Sequence, residues 1–331
     1  MEKQKESFNN SMGEEFFIGK ILSTGKFGEV KEAFKCNSNK KYILKPIKSD
    51  SLILSLLNKE ETNYNLYKKS NKVIENHNLN IFDLFKSEPI VHNNQTYILR
   101  EYIEGTTFKE LITKKRGRLK KAGLKYVQEA FCNILTQLEL LHKNNLLHCD
   151  IKPSNIIAAH EHNEDPSCWD PKKCTLIDFE QMIKLPADNS LRRPFSLGYS
   201  APEQLLNFNH LLSPASDLFA LGVTLYESIT FKKAFNYYNP EMLMHIQLNL
   251  PLKKESNRLS PQLFSIIEKA TAKQPFRIPP RRMAVQEINN TLLNGIAKRY
   301  SSVTEFKNEL IKCNCSIIKK RSLNNFLKRL F

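Results

Sequence analysis

Two short segments carry most of the side chains that could do chemistry. The first is HCDIKPSNII, which holds His148, Asp150, Lys152 and Asn155 in the order H-x-D-x-K-x-x-N, and the second is TLIDFE, which contains Asp178. Carboxylate and amide oxygens are hard ligands, and such ligands suit Mg²⁺ that is bound jointly with phosphates. Transfer of a phosphoryl group needs positioning, charge neutralisation and a weak base beside the incoming hydroxyl. The two segments therefore point to phosphate chemistry.

A glycine-bearing segment lies upstream of these residues. Residues 23–30, STGKFGEV, fit the pattern G-x-G-x-x-G-x-V with Ser23 in the first glycine place, and Lys45 follows in YILK. Glycines let backbone amides close over phosphates. Alone, such glycines often only form a hairpin turn. No G-x-x-x-x-G-K-[ST] segment occurs in the chain, so a Walker-type nucleotide site is unsupported.

Together these segments resemble the eukaryotic-type protein kinase family, and the resemblance recurs along nearly the whole chain. It implies that Asp150 accepts the proton of the acceptor hydroxyl and that Lys152 steadies the transferred phosphate. It also implies that Asn155 and Asp178 hold Mg²⁺. The cofactors expected from the resemblance are therefore ATP and Mg²⁺.

The resemblance also assigns residues to ATP. Lys45 takes the place of the phosphate-binding lysine, which a carboxylate on the following helix should hold. Glu60 and Glu61 are the candidates, and Glu60 is preferred because Tyr64 and Tyr67 then fall at +4 and +7 and can pack inward. The expected ATP contacts are Ser23, Gly25, Gly28, Val30, Ile43, Lys45, Glu101, Ile103 and Ile157.

The segment after Asp178 bears on the acceptor. SAPEQ at residues 200–204 matches the A-P-E element that closes the activation segment in the family. Ser196 and Tyr199 stand where members that act on Ser and Thr carry a threonine and a tyrosine. Together with Lys152, they favour a protein Ser or Thr hydroxyl over Tyr as the acceptor.

Two further positions have structural roles in the family. Asp217 opens an apolar helix and matches the aspartate that organises the backbone of the catalytic loop. Arg299, in KRYSSVTEF, is the expected ion-pair partner of Glu203 despite an inserted stretch before it.

The sequence departs from the family at several places around the nucleotide. Glu180 replaces the glycine of D-F-G, which removes a hinge and adds a carboxylate beside the metal site. Cys149 replaces the arginine of H-R-D, so phosphorylation of the activation loop is not expected to be required. Ile43 takes the place of a small alanine above the adenine ring.

Arg100 stands at the gatekeeper position, where an apolar residue is usual. A guanidinium behind the adenine pocket needs a carboxylate partner. The hypothesis is that Arg100 pairs with Glu60 in a resting state and competes with Lys45. The alternative is that its side chain extends to solvent.

The sequence is also compatible with two other functions. A pseudokinase that serves as a binding scaffold is suggested by Ser23, Ile43, Arg100 and Glu180, which crowd the nucleotide site. A small-molecule kinase of the choline-kinase or aminoglycoside-kinase type is suggested by the I-D-F-E motif. Enzymes of that type lack the A-P-E segment and the DLFALGV-type helix, so protein substrates are favoured.

The elements that must position these residues change character along the chain. FFIGKIL, EVKEAF and YILK read as three strands, a second strand pair lies near 90–91 and 97–103, and Ser51 to Tyr67 carries helical spacing. An i, i+3, i+4, i+7 repeat over 127–141 predicts a buried helix of about six turns, and DLFALGVTLYESI predicts a core helix. The polar, turn-rich stretch 158–174 predicts a surface loop.

This order predicts an α+β, bilobal protein-kinase-like fold. Its small antiparallel sheet carries one main helix, and its larger part is mainly helical. The expected divisions are a flexible N-terminus (1–13), an N-lobe (14–102), a C-lobe (103–312) and a basic amphipathic tail (313–331).

Composition and charge indicate the compartment and the partners to expect. A net charge of +16 attracts anions, and seven scattered cysteines suit a reducing compartment. No secretory signal or apolar run of about 18 residues is visible, so a cytoplasmic protein is expected, or one in a host cytosol if it is a bacterial effector. The basic tail either lies on an anionic membrane surface or docks as a helix on the kinase body. No specific nucleic acid is expected as a partner.

Overall fold

The computed structural model describes residues 6–10, 12–25, 28–38, 40–48, 87–159, 169–187, 192–254 and 258–313. The strands within these ranges are β1 (Ser7–Asn9), β2 (Glu15–Gly25), β3 (Gly28–Lys35), β4 (Lys41–Pro46), β5 (Ser87–His92), β6 (Gln95–Glu101), β7 (Gly105–Thr107), β8 (Leu146–Leu147), β9 (Ile156–Ala159), β10 (Thr175–Leu176) and β11 (Ile183–Lys184). The α-helices are α1 (Phe108–Thr113), α2 (Arg116–Lys143), α3 (Pro202–Leu205), α4 (Pro214–Thr230), α5 (Pro240–Asn249), α6 (Pro261–Ala270), α7 (Val285–Ile296) and α8 (Val303–Lys312). The helix predicted over 51–67, with Glu60 and Glu61, and the tail from residue 314 onward lie outside the described residues.

An antiparallel sheet forms the N-terminal part, with six described strands in the order β1-β2-β3-β4-β6-β5. In the register between β4 and β6, Lys45 lies opposite Ile98, and Ile43 lies opposite Arg100. Because side chains alternate across a strand, these four residues point to the same face of the sheet. That face is the wall of the cleft described below.

The C-terminal part is built around two long helices. The repeat that predicted a six-turn helix extends in the structure to the 28 residues of α2, whose regular geometry is interrupted at Gly123 (φ 84°, ψ 174°). Helix α4 is buried on all sides from Ala215 to Thr230, as its continuous apolar sequence predicts. Each fully buried leucine or phenylalanine contributes about 1.5–3 kcal/mol, so this pair of helices anchors the C-terminal part. The α+β class and its division into a sheet-rich and a helical part are confirmed.

The prediction of a surface loop over 158–174 is wrong at both ends of that stretch. Residues 158–159 belong to β9, and Trp169 and Cys174 are buried. Polar side chains of α2 make this burial tolerable, because Asn133 Nδ2 and Gln137 Nε2 donate to the carbonyl oxygen of Cys174 at 2.6 and 2.8 Å. The ring of Trp169 packs 6.0 Å from that of Tyr126. The polar composition of the stretch gave no indication of these partners.

Gly105–Thr107 form strand β7, which the sequence patterns did not predict and which pairs with β9. Gly105 permits this pairing, since a Cβ at that position would lie 2.4 Å from Cγ2 of Ile157. Among the described helices, none is both long enough and apolar enough to span a bilayer.

Candidate active site

The carboxylate of Asp150 lies between β8 and a short 3₁₀ turn, Pro153–Asn155, and three side chains hold its orientation. Lys152 Nζ and Asn155 Nδ2 donate to Oδ2 at 2.8 and 3.0 Å, and Ser196 Oγ donates to Oδ1 at 2.6 Å. Lys152 Nζ also donates to Ser196 Oγ at 3.0 Å. Asp150 is therefore an acceptor of fixed orientation, and a group that takes a proton from a hydroxyl has to lie within hydrogen-bond reach in this way.

The backbone around Asp150 depends on Asp217, which sits in the first turn of α4. Its two carboxylate oxygens accept the backbone N–H groups of Cys149 and His148, both at 2.9 Å, and His142 Nε2 lies 2.9 Å from Oδ2. These bonds hold Cys149 in a left-handed conformation (φ 62°), which is uncommon for a residue with a Cβ. Burial raises the pKa of Asp217, but the hydrogen bond with His142 and the nearby charges outweigh it and hold the pKa below its usual value. The predicted role of Asp217 is confirmed.

A small hairpin brings the second motif to the first. Strand β9 pairs with β10, and Ile177 N donates to the carbonyl oxygen of Asn155 at 2.9 Å, so Asp178 follows directly beside Asn155. The ring of His148 lies 5.0 Å from that of Phe179, and Nε2 of His148 is 3.2 Å from the carbonyl oxygen of Ile177. The catalytic loop and the D-F-E segment are thus packed as one unit.

The donor set beside this hairpin fits a hard divalent cation. The amide nitrogen of Asn155 donates to Asp150, which leaves its Oδ1 as the ligand atom. Together with the carboxylate of Asp178, this oxygen provides the few protein ligands that Mg²⁺ takes when phosphates supply others.

Lys45 reaches across the cleft from β4 to two carboxylates. Its Nζ lies 2.8 Å from Asp178 Oδ1 and 2.9 Å from Glu180 Oε1. The contact with Glu180 is an ion pair whose hydrogen-bond alignment is poor, because Oε1 has no well-aligned donor among the described residues. Glu180 follows Asp178 within the same short turn, so the D-F-E segment presents both charges to one ammonium group.

The charges of this cluster shift one another's protonation. Burial lowers the pKa of Lys45, but the charges of Asp178 and Glu180 outweigh it, and the pKa is raised. Burial would raise the pKa of Asp178, but Lys45 holds it below its usual value. For Glu180, burial and the charges of Asp178 and Asp150 prevail over Lys45 and raise the pKa. Of the two carboxylates, Asp178 therefore has the lower pKa and keeps its negative charge to lower pH.

Two adjoining cavities of about 260 and 200 Å³ form the cleft. They lie side by side, because Val30, Lys45, Asp178 and Glu180 line both. The first is also lined by Gly28, Pro46, Asp150, Lys152, Gln181 and Pro194. The second is also lined by Ser23, Ile43, Ile47, Ile98, Arg100, Ile177 and Phe179. The cleft thus connects a polar end at the catalytic loop with an apolar end under the sheet.

The cleft gathers many but not all of the residues assigned to ATP. Ser23, Gly28, Val30, Ile43 and Lys45 lie in its walls, and Gly25 pairs with Gly28 at the described edge of the glycine-rich turn. Three other assigned residues, Glu101, Ile103 and Ile157, are not among the lining residues of these two cavities.

Ile177 was not assigned from the sequence, although it lines the apolar end of the cleft. It comes directly before Asp178 in the apolar run TLID, and that adjacency is the signal that could have identified it.

Comparison with known proteins decides the family. The sequence profile of the protein kinase domain matches residues 16–293. This chain belongs to the protein kinase family. The chain is 32% identical over 204 residues to the serine/threonine-protein kinase PrkC of Bacillus subtilis, covering 60% of this chain and 28% of that protein. It is 26% identical over 314 residues to the serine/threonine-protein kinase PknD of Chlamydia pneumoniae, covering 90% and 31% of the two chains.

A plant relative is the mitogen-activated protein kinase kinase kinase 3 of Arabidopsis thaliana, 24% identical over 324 residues, covering 94% of this chain and 46% of that protein. This chain therefore spans less than half the length of these three relatives. The resemblance inferred from the motifs is confirmed.

The predicted ion pair between Glu203 and Arg299 is present in the structure. Arg299 Nη1 and Nη2 donate to the two oxygens of Glu203 at 2.7 and 3.1 Å, and both side chains are almost fully buried. Ser216 Oγ, in the first turn of α4, adds a hydrogen bond of 2.7 Å to Glu203 Oε1. This fork anchors the end of the activation segment to the helical part.

Arg100 is one of the positions at which the chain departs from the family pattern. Burial lowers the pKa of its guanidinium to about 10, with the negative charge of Asp178 acting in the opposite direction. The side chain is partly buried and lines the apolar cavity, which does not fit a side chain extended into bulk solvent. No ion pair joins Arg100 to another residue within the described ranges. The hypothesis that it pairs with Glu60 stays a prediction, because Glu60 lies outside those ranges.

Cys149 is buried, and burial raises the pKa of its thiol well above the usual value. The thiol is therefore protonated near neutral pH, and it is not a nucleophile. Its carbonyl oxygen accepts a hydrogen bond of 2.6 Å from Gln204 Nε2, which links the catalytic loop to the SAPEQ segment.

Proposed function

We propose that this chain is an ATP-dependent serine/threonine protein kinase in which Asp150 is the general base. The observation that carries the proposal is the position of Asp150 in the wall of the cleft, where Lys152 and Ser196 hold its carboxylate. An acceptor hydroxyl that enters the cleft finds there a carboxylate of fixed orientation and an adjacent cation.

The reaction that this geometry supports is a direct transfer. The acceptor oxygen forms a bond to the γ-phosphorus as the bond from that phosphorus to the bridging oxygen of ADP breaks, and the hydroxyl proton passes to Asp150. Lys152 and Lys45 offset negative charge on the transferred group and on the phosphates. Mg²⁺ held by Asn155 and Asp178 would neutralise further phosphate charge.

Two observations favour serine or threonine as the acceptor. The three relatives named above include two whose names describe serine/threonine kinases. Ser196, which stands where members that act on Ser and Thr carry a threonine, contacts both Asp150 and Lys152.

A second candidate function is a scaffold of the pseudokinase type. The observation that favours it is the wall of the apolar cavity, where Ile43 and the partly buried Arg100 reduce the space for a purine ring. The complete set of Lys45, Asp150, Asn155 and Asp178 favours the active enzyme.

Incubation with labelled ATP and Mg²⁺, comparing the chain with Asp150→Asn, separates these functions. The enzyme should transfer label to a protein substrate, and the variant should be slower by about 10²–10⁴-fold because a general base contributes that much. Equal incorporation by both proteins would reject Asp150 as the base. No incorporation by either, with ATP binding retained, would favour the scaffold.

A further inference from the structure

A second cavity system lies outside the nucleotide cleft. It runs between the start of α1 and α2 on one side and the segment that follows α4 on the other. Its smaller part is about 90 Å³ and its larger part about 590 Å³, and Arg116, Phe231, Lys232 and Lys233 line both. We call the whole of it the basic groove.

The basic groove carries a strong excess of positive charge. Its described lining includes five cations, Lys109, Arg116, Lys232, Lys233 and Lys253, and all five are exposed. Arg116 Nε donates to the carbonyl oxygen of Ile112 at 2.7 Å, which fixes the direction of its guanidinium. Lys120 and Arg258 add further charge beside the groove, over the ring of Phe231. A surface of this kind attracts an anionic ligand and repels a basic one.

Among the described lining residues, Glu227 is the acidic one, and its carboxylate already interacts with other residues of the protein. Its side chain is only 3% exposed. It accepts hydrogen bonds from Tyr199 Oη at 3.0 Å and from Lys233 Nζ at 3.1 Å, and Ala234 N lies 3.3 Å from it. Lys233 Nζ also contacts the hydroxyl of Tyr199. Glu227 is therefore not positioned to recognise a cation in a ligand.

The basic groove also adjoins the catalytic loop. Pro153 and Tyr199 line its smaller part. Pro153 directly follows Lys152, which donates to Asp150, and Tyr199 comes three residues after Ser196, which also donates to Asp150. A chain whose hydroxyl reaches Asp150 can therefore place neighbouring residues in the groove.

We propose that the basic groove binds an acidic segment of the protein substrate next to the residue that is phosphorylated. The inference rests on the proposed kinase function and adds the chemical class of its substrate. Single exposed charge pairs are weak, but several together should favour an acidic over a neutral peptide by about 10- to 100-fold in affinity. A substrate with a basic segment in the same place would be disfavoured.

The test uses the full chain and three labelled peptides that share one serine acceptor. The residues flanking that serine are Asp and Glu, Asn and Gln, or Lys and Arg, and dissociation constants are measured by fluorescence anisotropy. The groove variant combines Lys109→Glu, Arg116→Glu and Lys253→Glu. A matched control combines Lys143→Glu, Lys298→Glu and Lys312→Glu, which are exposed, lie outside the groove lining and change the net charge equally. Thermal unfolding verifies that both variants are folded.

The proposal expects the wild type and the control to bind the acidic peptide most tightly and the groove variant to lose or reverse that order. It is overturned if the wild type binds the neutral or basic peptide as tightly as the acidic one, or if the groove variant keeps the acidic preference. Phosphoryl transfer to the same peptides is measured separately. Absence of transfer to every peptide would reject the kinase function, while the binding constants still decide whether the groove recognises acidic segments.

Discussion

At the scale of single residues, the protonation of Lys45 depends on two carboxylates from one short segment. Both Asp178 and Glu180 lie within ion-pair distance of its Nζ, so neither has to supply the whole of the compensating charge. Asp178 is also the expected ligand of Mg²⁺, and a bound cation would compete with Lys45 for the same carboxylate. Glu180 can keep its contact with Lys45 under those conditions.

We expect Glu180→Gln to lower the pKa of Lys45, because the charge of Glu180 helps to raise it. At pH 8 a larger fraction of Lys45 is then unprotonated, and it should react about threefold faster with an amine-directed reagent, a modest factor because Lys45 is partly exposed. Mass spectrometry of the Lys45 peptide over a pH series measures this. Glu14→Gln, which removes the partner of Lys35 in the same sheet, is the control and should leave Lys45 unchanged. An identical pH profile in Glu180→Gln would show that Glu180 does not act on Lys45.

Arg100 is a second residue whose charge has consequences. Its folded pKa of about 10 lies below the ordinary value, so the folded state carries a cost for the charged guanidinium at neutral pH. Arg100→Met should remove this cost and raise Tm by about 2–4 °C. Differential scanning calorimetry measures the change, with the exposed Arg277→Met as the control. A lower Tm for Arg100→Met would mean that the guanidinium has a stabilising partner.

The site residues were predictable from sequence where they belong to contiguous motifs. Asp150, Lys152, Asn155 and Asp178 stand at fixed spacings, and the structure brings them together. The pairing of Lys45 with Glu180 was not predictable in this way, because it joins a strand of the sheet to a turn in the helical part. Spacing within one motif contains no information on such a contact.

At the scale of elements, helix α4 holds the backbone of the catalytic loop in place, a role that its apolar sequence does not suggest. Asp217 in its first turn accepts two backbone N–H groups of the loop, including that of the left-handed Cys149. The helix therefore fixes the backbone from which Asp150 projects. Loss of this carboxylate should affect both stability and catalysis.

We expect Asp217→Asn to lower the free energy of unfolding at pH 7 by about 2–4 kcal/mol, because a buried carboxylate with hydrogen-bonded partners is lost. The folded pKa of Asp217 is depressed, so its contribution is present above the unfolded pKa of about 3.9 and is lost as pH falls through the folded pKa. The difference between the two proteins should thus shrink in acid. Urea titrations at pH 7 and pH 3 measure it.

The matched control for this prediction is Glu241→Gln, which removes an exposed acidic residue from the first turn of α5. It should cost about 0.3–1 kcal/mol, the usual contribution of a charge at a helix N-terminus. A similar cost for both substitutions would contradict the special role of Asp217.

Periodicity predicted the long elements well and the short ones poorly. Helices α2 and α4 follow from apolar repeats, and strands β2 to β4 follow from apolar runs between turns. Strand β7 and the buried segment at 169–174 were missed. Their burial depends on partners distant in sequence, such as Gln137 and Ile157, and not on local hydrophobicity.

At the scale of the whole molecule, the cleft joins distant parts of the chain. Lys45 and Asp178 are separated by 133 positions, and Glu203 and Arg299 by 96. These contacts connect the sheet, the catalytic loop and the last described helices. The net charge of +16 and the basic groove suit acidic partners.

The most direct test of the central claim is the rate of phosphoryl transfer from labelled ATP to matched peptides that carry serine, threonine or tyrosine as the acceptor. The kinase assignment predicts label on serine and threonine, a loss of about 10²-fold or more in Asp150→Asn, and unchanged ATP affinity in that variant. Equal rates for the two proteins, or label confined to tyrosine, would contradict it.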